Sequence, residues 1–224
     1  MKIIYKIVNT VASLAVIPVL MFLPMFRFIM VVDVSSGNQI LSLLGGMLDI
    51  NQIITKAVGI DLENLPEFYT LKGAYGMFSG ENSQLANAGL DASALPAEMV
   101  RWFTAAGVLF VLALVCAVVV LILGIFIKKK LIPAGISALG FGFAFAAGKC
   151  FSHIAEQLVS GKISLSSILA NMEALADYKS YLSYIDFDIR IFELSSAFTM
   201  LLIVFGALAL LNIGFHLADS VSDK

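Results

Sequence analysis

"FLPMFRFIMVV", residues 22–32, decides how the rest of the chain is read, because Arg27 stands inside a run that is otherwise apolar apart from Pro24. Joined to the residues before it, the run makes an apolar block from about Ile7 to Val32. Crossing the roughly 30 Å hydrocarbon core takes about 20 apolar residues in a helix, so this block predicts a first membrane helix carrying Pro18, Pro24 and Arg27. On such a helix Arg27 lies six positions before Asp33, on the order of 9 Å. That depth lets its long side chain reach the headgroups and keep its charge hydrated. The prolines predict a kink, since each removes a backbone donor.

The whole chain fits this setting. Of its 224 residues 60% are hydrophobic and only 13% charged, about half the charge of an ordinary soluble domain. Three further apolar blocks follow: Phe103 to Ile127, without a charge; Leu131 to about Phe151, rich in glycine and alanine; and Leu194 to about Phe215. Backbone groups in lipid must be satisfied within the segment, so each block is expected to be helical. The fold class expected is an all-α integral membrane protein, a four-helix bundle with two partly helical extracytoplasmic loops. Although "MKIIYK" resembles the basic start of a secretory signal, the apolar run after it is about twice the usual length of such a signal's core. An uncleaved first helix is expected.

Lysines and arginines accumulate on the cytoplasmic side of short loops. Lys128, Lys129 and Lys130 fill the turn between helices two and three, which places that turn, and with four crossings both termini, inside. The resulting order is helix one at 1–32, an outer loop at 33–102, helices two and three with their basic turn at 103–152, a second outer loop at 153–193, and helix four with a short tail at 194–224. Both outer loops are acidic. The first holds Asp33, Asp49, Asp61, Glu63, Glu67, Glu81, Asp91 and Glu98 against Lys56, Lys72 and Arg101. The second holds Glu156, Glu173, Asp177, Asp186 and Asp188 against Lys162, Lys179 and Arg190. Nucleic acid, which needs clustered positive charge, is excluded as a partner.

Within the loops, residues 39–60 have a helix-like apolar spacing broken by Gly45 and Gly46. Residues 81–96 are small and polar and read as a surface loop. In residues 164–182, Leu165, Ile168, Leu169, Met172, Leu175 and Ala176 share one face and predict a short amphipathic helix. "DFDIRIF", residues 186–192, alternates polar and apolar and predicts an extended lead into helix four.

Four charges fall at the outer ends of the crossings: Arg27, Arg101, Lys149 and Glu193. A pair between Glu193 and Arg27 or Lys149 would tie helices together, a contact worth roughly 1 kcal/mol in a membrane. Lys149, His153 and Glu156 share a helix face, but one histidine and one carboxylate make too small a set for a metal. Asp186 and Asp188 lack the additional oxygens and the turn glycine of a calcium loop. No pattern for a cofactor or a catalytic constellation is found. Cys116 and Cys150 differ too much in depth to bridge.

Helix three carries the strongest packing signal. Ala134, Ala138, Gly142 and Ala146 step by four, as do Gly140, Ala144 and Gly148. Such ridges let backbones approach closely, within one bundle or against another subunit. Asn212, near the end of helix four, offers a hydrogen bond across helices.

The order of helices, with cytoplasmic ends, a longer first outer loop and a shorter second one, resembles the topology of tetraspan proteins such as claudins and tetraspanins. The loop tryptophans and paired cysteines of claudins are missing, as is the cysteine-glycine motif of tetraspanins, and Trp102 stands alone. Without a glycosylation sequon or loop disulfides, a bacterial cytoplasmic membrane is the expected location. The function expected is that of a non-enzymatic interaction, scaffold or accessory subunit. Its partners are the lipid bilayer and either another membrane protein or further copies of itself. A homo-oligomeric channel or transporter subunit is the alternative.

Overall fold

A computed structural model of the protein describes residues 2–34, 67–72, 96–126, 130–170 and 185–222. The expected amphipathic segment at 39–60, residues 81–95 and the continuation of the 164–182 segment beyond Ala170 lie outside them. In chain order the elements are α1 (Lys2–Phe22), β1 (Pro24–Val34), β2 (Phe68–Thr70), α2 (Ala97–Phe126), α3 (Leu131–Val159), α4 (Leu165–Ala170), β3 (Ile185–Leu194) and α5 (Ser196–Ser222).

Four of these helices, α1, α2, α3 and α5, are long and apolar enough to cross a membrane. The all-α expectation is nevertheless corrected, because β1, β2 and β3 form a three-stranded sheet in the order β2-β1-β3. The difference lies in residues 22–32. Helix α1 ends at Phe22 and Arg27 lies on a strand. Pro24 cannot donate to a helix and disfavours helical geometry in the residue before it. The aromatic and β-branched residues that follow suit a pleated, half-buried surface. Their backbone groups are satisfied by neighbouring strands, a solution that only long-range pairing provides. The "DFDIRIF" stretch lies within β3, as its alternation predicts.

Contacts Met25–Ser195, Arg27–Glu193 and Phe28–Phe192 advance along β1 while they retreat along β3, so the two strands are antiparallel. Ser195 links this ladder to the last helix. Its amide donates to the Met25 carbonyl at 2.9 Å, its hydroxyl donates to the Pro24 carbonyl, and the same oxygen accepts from the Ala197 amide at 3.2 Å as an N-cap of α5. Elsewhere Gly161, with φ +69°, takes the left-handed conformation just past α3. Ser164 caps α4 by accepting from the Ser167 amide.

The chain divides into two compact units. The first collects Met1–Met25, Phe103–Phe151 and Leu194–Lys224; the second collects Phe26–Trp102 and Ser152–Glu193. In the first unit α1 packs along α5. Tyr5, Asn9, Ser13, Val16 and Leu20 are the buried face of α1, and Leu201, Phe205, Leu208 and Asn212 that of α5. Both follow the three- and four-residue steps of a helix stripe. The opposite faces are equally apolar: Ile7, Val11 and Leu14 on α1, and Val108, Val111 and Val115 on α2, are more than half or about half exposed. An exposed surface of this kind suits lipid, whose tails are as apolar as leucine.

Candidate functional site

The polar groups of the helical unit converge on the α1–α5 seam. The Tyr5 hydroxyl donates to Asn212 Oδ1 at 2.7 Å. Asn212 Nδ2 in turn donates to Asn9 Oδ1 at 2.8 Å and to the Leu208 carbonyl of its own helix at 2.7 Å. Asn9 Nδ2 donates to the Val120 carbonyl at 3.3 Å, which brings α2 into the network. All three side chains are buried. Burying amides this deeply is costly unless their donors and acceptors are met, and here both amide groups of Asn212 are. Gly124 on α2 makes room for the arrangement, since a Cβ there would overlap the Asn9 amide.

Next to this ladder, the Lys130 side chain is only 5% exposed. Its ammonium pairs with Asp219 at 2.5 Å and donates to the Phe215 carbonyl at 3.3 Å. It also lies 4.8 Å from the Tyr5 ring centre and 5.3 Å from that of Phe215, within cation–π range of both. Lys130, expected as a topology signal, is thus also packed against the last helix. Lys128 and Lys129 lie outside the described residues.

The two small-residue ridges of α3 have different surroundings. Gly140, Ala144 and Gly148 are buried: a Cβ at Gly140 would run into Phe205, and one at Gly148 into Phe198. On the other ridge Ala134 is buried, Ala146 half-buried, and Ala138 and Gly142 exposed. A Cβ at Gly142 would meet nothing within 4 Å among the described residues. Phe141 and Phe145 stack beside it with ring centres 6.4 Å apart.

In the second unit, Arg27 on the central strand sits between two carboxylates. Its Nε donates to Glu67 Oε1 at 2.5 Å and its Nη1 to Glu193 Oε1 at 3.5 Å. The guanidinium carbon also lies 5.9 Å from the Phe68 ring centre. The hydrogen bond to Glu67 is the largest influence holding the guanidinium in its charged form, above its already high ordinary value. The sequence-expected partner Glu193 is therefore present, but on a strand, and Glu67 is the closer partner. On the other side of β1 the Phe28 ring meets Tyr69 and Phe192 edge-on, at 6.4 and 5.5 Å. Burial pushes the Tyr69 phenol up.

The remaining charges stand apart from that clasp. Arg101 is exposed and lies 5.6 Å from the Trp102 ring centre, while Lys149 is exposed and lies 5.6 Å from that of Phe145. The His153 ring lies tilted against Trp102 with centres 4.9 Å apart, bonds Gln157 at 2.9 Å and lies 4.0 Å from Glu98. Among the described residues no group of three or more His, Cys, Asp or Glu side chains is placed to hold a metal.

Sequence reading missed Tyr5, Asn9 and Glu67. The first two carried a usable signal, for Tyr5, Asn9 and Ser13 step by four along a mostly apolar helix. Glu67 carried none, being one of eight acids in its loop.

The arrangement is that of a chain with four helices long and apolar enough to cross a membrane, whose buried polar groups join helices and whose sheet carries one arginine between two carboxylates. No family model, no curated protein and no solved structure matches the chain.

Proposed function

We propose that the chain is a non-enzymatic four-span membrane protein that serves as an interaction, scaffold or accessory subunit. Its two loop regions lie outside the membrane, both termini lie inside, and the membrane is the bacterial cytoplasmic one. The observation that carries this reading is the Tyr5–Asn212–Asn9 network. Its amides and hydroxyl are engaged with one another across helices and with backbone carbonyls of α2 and α5, as befits a bundle held together rather than a polar path lined for a solute. The Arg27 contacts to Glu67 and Glu193 support the same reading, because they join described segments of both loop regions.

The test is purification from the native membrane in mild detergent, followed by measurement of the particle's mass and composition. A defined complex with other proteins is expected. A closed ring of this chain alone would overturn the accessory role in favour of a homo-oligomeric channel or transporter subunit.

A further inference from the structure

We draw no further inference here: the strongest candidate, the exposed Ala138–Gly142 stripe beside Phe141 and Phe145 on α3, is a run of small residues, and nothing in the structure shows what covers it.

Discussion

Gly124 on α2 faces Asn9 on α1 so closely that a single methyl group at position 124 would occupy the space of the Asn9 amide nitrogen. The side chain it would displace is also the one that bridges α5 to α2. Gly124→Ala therefore acts on three helices at once, although it adds one carbon.

The expected cost of Gly124→Ala is about 1–3 kcal/mol, the range for overpacking a well-filled core. It is read as a lower midpoint of thermal unfolding in a fixed detergent. Asn9→Ala alone loses the amide bonds, which are worth about 0.6 to 1.7 kcal/mol in membrane bundles. Once Asn9 is gone the added methyl has nothing to displace, so the double variant is less damaged than the sum of the two. Strict additivity would contradict the contact.

The two ridges of α3 give a second contrast. A methyl at Gly140 pushes on Phe205, which is fully buried and cannot retreat. Gly140→Ala is expected to destabilise by about 1–3 kcal/mol. A methyl at Gly142 meets open space, and alanine favours a helix over glycine by up to about 1 kcal/mol, so Gly142→Ala is expected to be neutral or mildly stabilising in detergent. Equal losses at both positions would mean that the exposed ridge is covered in the purified particle.

How much of this was legible in the sequence follows from the range of each interaction. The four long apolar helices are set by local hydropathy and stand out in any reading of the chain. The end of α1 was not legible by hydropathy, because β1 is as apolar as the helix before it. Pro24 marked the break, but whether a break gives a kinked helix or a strand depended on β3, about 165 residues further on. Asn212 was visible as a lone amide in an apolar helix, whereas its partners required knowing that α1 and α5 lie side by side. The small-residue ridges were equally strong as patterns, and only the positions of Phe198 and Phe205 distinguish them.

At the sheet, Arg27 is shared unequally. The shorter bond to Glu67 predicts a larger coupling for the Arg27–Glu67 pair than for Arg27–Glu193 in double-mutant cycles using Arg27→Gln, Glu67→Gln and Glu193→Gln. Both pairs are open to solvent, so both couplings are expected to be small and to shrink as salt is raised from low to molar concentration. A guanidinium with a raised value loses its contribution only as pH climbs through that value, beyond the alkaline range a protein tolerates. Salt, not alkali, is the variable that moves this clasp. Couplings of equal size, or insensitive to salt, would contradict the geometry.

Tyr69 gives the sheet an alkaline limit. Burial raises its phenol above the ordinary value of 10.0, so the folded state holds the proton more tightly than the unfolded one. The resulting stabilisation is complete below the unfolded value and is lost as pH rises through the folded value. Stability is thus expected to fall above about pH 10, and Tyr69→Phe to flatten that decline. Phenolate absorbance followed against pH should show one late-titrating tyrosine fewer in the variant than in the native protein. Loss of a tyrosine from the ordinary part of the curve, rather than from its late part, would refute the assignment.

Ser13 tests whether the α1–α5 seam is purely structural. It is fully buried on the same face as Tyr5 and Asn9, yet its hydroxyl has no hydrogen-bond partner among the described residues. The antiparallel register fixed by Tyr5–Phe215 and Asn9–Asn212 brings Ser13 level with Leu208, an apolar residue. A buried hydroxyl without a partner costs about 1–3 kcal/mol in protein interiors. Ser13→Ala removes that cost while leaving almost the same volume, so it is expected to raise the unfolding midpoint, in contrast to Asn9→Ala. Native-membrane purification of the Ser13→Ala variant should then return a particle of unchanged composition. A lower midpoint would show that the hydroxyl is bonded in the folded bundle. A higher midpoint with a changed particle would instead mean that Ser13 serves assembly at the expense of stability.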